Sequence, residues 1–108
     1  MRRKFLLICF LLVGCGDKSK DYHEVNITIT EHRFNPEVVE VPAGEKIRIT
    51  VQNQDKTIEE FESLDLKRAK IVPPNSKIKI ILAPLKAGTY KFFGCFNQDT
   101  AQGKLIAN

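Results

Sequence analysis

The sequence predicts an all-β domain, an antiparallel sandwich of seven to eight short strands, and three observations carry that expectation. Apolar residues recur at every second position in short runs, the runs are rich in β-branched side chains, and clusters of Pro, Gly, Asn and Asp separate them. No stretch of the chain shows a convincing helical period.

Taken in order, Val25, Ile27 and Ile29 predict a strand over 25–31, ended by the Asn35-Pro36 turn signal. Val39 and Val41 predict 37–41, which Pro42-Ala43-Gly44 closes. Ile47, Ile49 and Val51 predict 46–52, followed by the turn residues Asn53-Gln54-Asp55. Strands over 59–66 and 69–72 run up to Pro73-Pro74-Asn75. Ile78, Ile80 and Leu82 predict 77–82, before the loop from Pro84 to Gly88. The segment Gly88-Thr89-Tyr90-Lys91-Phe92-Phe93 opens an aromatic strand over 88–94, Gly94 to Asp99 reads as a loop, and 103–107 is the last strand. A domain of about 90 residues with this many strands can bury a core without staples.

The N-terminus reads as an address. Arg2, Arg3 and Lys4 precede nine apolar residues, Phe5 to Val13, and then Gly14 and Cys15. Nine helical residues reach about 14 Å, half of the roughly 30 Å of hydrocarbon that a spanning helix must cross. Leu12-Val13-Gly14-Cys15 resembles the bacterial lipoprotein cleavage box, in which the Cys thiol is acylated and becomes the mature N-terminus. The expected organisation is a signal peptide over 1–14, the lipidated Cys15 and a polar tether over 15–23, and the folded domain over 24–108. Two or more acyl chains give a stable anchor, so the domain is expected on the periplasmic side of a bacterial membrane in the cell envelope.

The formal charge is +4, and three of the positive charges lie in the signal segment. The remainder is close to neutral, with acidic and basic residues interspersed in the sequence, which argues against nucleic-acid binding. Of the three cysteines, Cys9 leaves with the signal and Cys15 is acylated, so Cys95 alone stays as a thiol and no disulfide is expected within the domain. There is no Ser-His-Asp or Cys-His-Asn arrangement and no Gly-rich phosphate loop, and nothing argues for an enzyme.

Phe34-Asn35-Pro36, Val41-Pro42-Ala43-Gly44, Asn53-x-Asp55 and Gly88-Thr89-Tyr90 leading into a strand and loop together resemble the cupredoxin family over about residues 25–108. A closer resemblance, carried by Glu60-Phe61-Glu62, Leu85 to Tyr90 and Asp99 to Leu105, is to the cupredoxin-like domain of Efe-type periplasmic iron-uptake components. The resemblance implies a Greek-key sandwich, a bound transition metal, iron or copper, and a partner such as an iron permease or another metal-uptake component. A blue-copper centre requires two His, a Cys and usually an axial Met. The mature chain has no Met, and His23 and His32 both lie near its start. Where copper-binding members place their first His this chain has Glu59 and Glu60. Where they place Cys and a second His it has Gly94 and Asn97, with Cys95 displaced by one residue.

The candidate ligands are therefore Glu60, Glu62, Cys95, His32 and Asp99. With Phe61 in the core, Glu60 and Glu62 project from the opposite face of their strand, about 6–7 Å apart, either as a carboxylate pair for a hard cation or as a solvated acidic edge. Cys95, between Phe93-Gly94 and Phe96, is either a soft ligand or a buried structural thiol. Asp99 is either an oxygen ligand or a turn cap, and His32 either a ligand or a solvated loop residue. Two further functions compete with metal handling. One is a sandwich that has lost its metal and binds a protein partner, which Asn97 in place of an imidazole favours; the other is a thiol redox module, which lacks a resolving Cys.

Overall fold

A computed structural model describes residues 21–108. Cys15, the signal segment and the tether up to residue 20 lie outside the described residues. Nine strands follow in order: β1 (His23–Thr30), β2 (Arg33–Asn35), β3 (Val38–Val41), β4 (Ile47–Asn53), β5 (Glu59–Ser63), β6 (Arg68–Val72), β7 (Ser76–Leu82), β8 (Gly88–Gly94) and β9 (Gln102–Ala107). They form a four-stranded sheet of order β2-β1-β4-β7 and a five-stranded sheet of order β3-β9-β8-β5-β6. No helix among the described residues is long and apolar enough to cross a membrane.

The period-two runs do what their pattern dictates. Ile27, Ile29, Ile47, Ile49 and Val51 of one sheet and Phe61, Phe92 and Leu105 of the other are buried in a single core between the sheets. That core and both sheets are complete within residues 23–107, which makes this segment a folding unit by itself.

Three expectations need correction. The sandwich is mixed rather than antiparallel throughout: β1 pairs with β4 and β3 with β9 in parallel. The reason is connectivity. The chain leaves the first sheet for β3 and returns as β4, so no hairpin joins β1 to β4. The strand expected over 59–66 stops at Ser63, because the chain turns at Leu64 to Lys67 and Lys67 takes a positive φ of 58°. His23, placed in the tether by the sequence reading, is the first residue of β1, with its N–H donating to Lys46 O at 2.8 Å. Tyr22 before it is packed rather than solvated, lying 4.7 Å from the Arg48 guanidinium.

The topology defines two poles. At one, β1 begins at His23, Gly44 N donates to Leu85 O and Ala43 N donates to the carbonyl of the last residue, Asn108. At the other, the β1–β2 turn, the β4–β5 loop and the loop after β8 converge: Asp55 accepts from Glu31 N and His32 N, and Thr100 Oγ1 donates to His32 O. This second pole carries the candidate ligands.

Candidate metal centre

β5 alternates strictly, with Glu59, Phe61 and Ser63 buried and Glu60 and Glu62 half-buried on the outer face. Its pairing with β8 reaches only Phe61↔Gly94 and Glu62↔Phe93. Beyond Gly94 the chain does not swing away, because Cys95 N donates to Glu60 O at 2.9 Å. That bond holds Cys95 beside the outer face of β5. Ligand atoms of Glu60, Glu62 and Cys95 all lie within 4.8 Å of one another.

Cys95 is half-buried and beside carboxylates, not in the core, so the reading of it as a buried structural thiol does not hold. Partial burial, and then the negative charge and hydrogen bonding of Glu60 and Glu62, push the Cys95 thiol above its ordinary pKa. The same two carboxylates would stabilise a cation that replaced the thiol proton. Gln98 Nε2 donates to Cys95 O at 3.2 Å and flanks the sulfur at 4.0 Å.

His32 and Asp99 are exposed and stand outside this three-residue group. His32 takes a positive φ of 60° at the β1–β2 turn, its N–H donates to Asp55 Oδ2 and its ring Nε2 lies 3.2 Å from Thr57 Oγ1. Asp99 lies in the turn that leads to β9. Neither is brought to the sulfur.

Glu59, to which the sequence assigns a position but no role, is central to the loop. Glu59 is 2% exposed. Its Oε1 accepts from Glu60 N at 3.0 Å and Phe96 N at 2.9 Å, and its Oε2 accepts from Asn97 Nδ2 at 2.8 Å. A buried carboxylate persists only when its oxygens are satisfied in this way. Its space comes from Gly94: a Cβ there would lie 2.7 Å from the Glu59 carboxyl carbon and 2.7 Å from Ala101 Cβ. Glu59, Gly94 and Asn97 are among the positions at which the resemblance expects ligands, and here they form one latch of carboxylate, backbone and carboxamide. The signal was present in the pattern. A period of two that buries Phe61 also buries Glu59.

A family model described as a cupredoxin-like domain matches residues 4–107. An uncharacterized protein of Rickettsia prowazekii (strain Madrid E) is 59% identical over 117 residues, spanning 99% of this chain and 94% of its own length. Among solved structures, auracyanin A, a "blue" copper protein of Chloroflexus aurantiacus, superposes with a TM-score of 0.68 at 16% identity, covering 80% of this chain and 98% of its own. The metal-binding domain of the Streptococcus pneumoniae D39 Cu(I)-exporting P-type ATPase CopA, with Cu(I), gives a TM-score of 0.70 at 12% identity, covering 82% of this chain and 87% of its own. At those identities the two structures establish a shared fold.

Proposed function

The chain belongs to the cupredoxin-like domain family, and from that premise we propose that it is a lipid-anchored extracytoplasmic protein that binds copper at Glu60, Glu62 and Cys95 and serves metal uptake or handling. The single observation that carries this reading is the convergence of one thiol and two carboxylates within 4.8 Å at the pole where β5, β8 and the loop after β8 meet.

The donor set argues against a blue-copper centre. His23 lies at the far pole and only His32 lies near the loop end. Gly94 offers no side chain, and Glu59 with Asn97 closes the space around it. The outer-face trio is a different kind of site, open to solvent and mixed in hardness. The thiolate favours Cu(I) and the carboxylates add charge neutralisation. Iron, which the carboxylate pair alone would suit, is the weaker candidate beside a thiolate, and copper is the metal in the names of the two structural relatives. Cys15 as the acylated residue places the domain on a membrane, where a metal-uptake component is its natural partner.

The test is anaerobic Cu(I) titration of residues 21–108 against a chromophoric chelator, with Fe(II) and Cu(II) in parallel. Glu60→Gln with Glu62→Gln is expected to weaken Cu(I) binding by about an order of magnitude or more, and Cys95→Ser to abolish it. Equal affinity in all three proteins would remove the trio from the site.

A second reading, a metal-free sandwich that binds a protein partner, is favoured by the Glu59–Asn97 latch, which seals positions where the family's copper members carry ligands. Retention of no metal by the intact domain selects it.

A further inference from the structure

The near-neutral charge of the domain hides a segregation that exceeds what interspersed acidic and basic residues would produce. From Leu66 to Gln98 the chain contains no Asp or Glu and seven Lys or Arg. Five of these cations, Lys67, Arg68, Lys70, Lys77 and Lys79, lie on or beside β6 and β7 and are exposed. Those two strands are the terminal strands of the two sheets on the same flank of the sandwich. The opposite flank, formed by β2 and β3, has Glu31, Glu37 and Glu40 on or beside it against one cation, Arg33.

The basic flank is closed to strand addition. Arg68 Nη2 donates to Ile81 O and Lys70 Nζ to Lys79 O, both at 3.2 Å, so cations from β6 cap the free carbonyls of β7. None of the five forms an ion pair among the described residues. The carboxylates around them are occupied or face elsewhere: Glu24 pairs with Arg48, Asp65 accepts from Lys91 N, and Glu60 and Glu62 lie on the outer face of β5. A cleft of about 290 Å³ lies among Arg68, Lys70 and Lys79. Ile81, 43% exposed, shares the outer face of β7 with Lys77 and Lys79, and Ile71, also 43% exposed, lies on the outer face of β6 opposite Glu60.

From this arrangement we infer that the β6–β7 flank is a docking face for an anionic phospholipid surface. Four of the five cations are Lys, a residue depleted at protein–protein interfaces. No Phe, Tyr or Trp lies between Lys67 and Leu82 to stack a nucleobase. Flexible cations beside exposed aliphatic side chains are what a headgroup layer accommodates, the ammonium groups at the phosphates and the isoleucines at the acyl boundary. Docking along this flank brings β5, the neighbour of β6, close to the bilayer together with its outer-face carboxylates. The inference stands independently of whether those carboxylates hold a metal.

The experiment is co-sedimentation of residues 21–108 with vesicles of phosphatidylcholine and of phosphatidylcholine mixed with phosphatidylglycerol. Binding is expected only to the mixed vesicles and is expected to fall with salt. Each lysine at such a surface contributes about fivefold, so Lys70→Gln, Lys77→Gln and Lys79→Gln together are expected to weaken binding roughly a hundredfold. The same neutralisation at Lys46, Lys91 and Lys104, off the flank, is expected to leave a larger share of it. Equal binding to both vesicles, or equal loss in both triple variants, overturns the inference. Binding to polyglutamate without binding to vesicles also overturns it, in favour of an acidic protein partner.

Discussion

Glu59 shows how a single side chain decides what a cupredoxin-like pole can do. Its carboxylate satisfies three donors, two of them in the loop that carries Cys95. Glu59→Ala would leave Phe96 N–H and Asn97 Nδ2 without this acceptor in a partly buried space, at a cost of about 1–3 kcal/mol. Thermal denaturation of the apo domain is expected to show that loss, and an unchanged melting temperature would mean that the loop is held by other bonds. Cys95, two residues from Asn97, makes a different prediction. Its thiol is pushed up by partial burial and by Glu60 and Glu62, so at neutral pH it is protonated, and a metal must displace that proton. Affinity for Cu(I) therefore rises with pH, by about tenfold per unit for one proton released, and levels off once the pH passes the thiol's raised pKa. Chelator competition across the neutral to alkaline range reads this directly. A flat profile would mean that the thiol is not a ligand.

At the scale of elements, the second pole depends on a loop tying two turns together. Asp55, in the β4–β5 loop, accepts from Glu31 N at 2.7 Å and His32 N at 3.0 Å, and both of those residues have positive φ. A non-glycine residue in that region is uncommon and needs support from outside. Buried Asn53 holds the same loop, donating to Thr57 O and Val72 O and accepting from Asp55 N. Asp55→Ala is expected to release the β1–β2 turn, with a loss of about 1–3 kcal/mol for two charge-assisted bonds and faster amide exchange at Glu31 and His32. Exchange unchanged at those two amides would show the turn to be self-supporting. The strands themselves were legible. Period two located β1, β3, β4 and β7 and the turn residues bounded the other four expected ones, with all but β1 and β5 placed to within a residue at each end. The three-residue β2 was not, because Phe34 is its only buried side chain and one residue has no period. Nor could the parallel pairings be read, since alternation gives a strand its face but not its neighbour. The Glu60–Glu62 pair was legible for the same reason that the strands were. Its meeting with Cys95 rests on a backbone bond from Cys95 N to Glu60 O, for which the sequence has no sign.

At the scale of the whole molecule, the two sheets are joined largely by side chains, and one aromatic trio spans the joint near the pole of the candidate ligands. Phe34 comes from β2 of one sheet, Phe61 and Phe92 from β5 and β8 of the other. The Phe34 ring meets Phe92 edge-on at 5.1 Å and Phe61 at 5.9 Å, while Phe61 and Phe92 stack at 5.0 Å. All three are at most 2% exposed. Because Phe34 is the only buried residue of β2, truncating it leaves that edge strand with no buried side chain as well as opening a cavity between the sheets. Phe34→Ala is therefore expected to cost about 3–5 kcal/mol. Phe92→Ala should cost a similar amount, and the double variant less than the sum, since each ring lines the cavity left by the other. Urea unfolding of the four proteins measures the coupling. Additive losses would show that the sheets are joined by separate contacts, and that the pole of the candidate ligands stands on a joint with no cooperative centre.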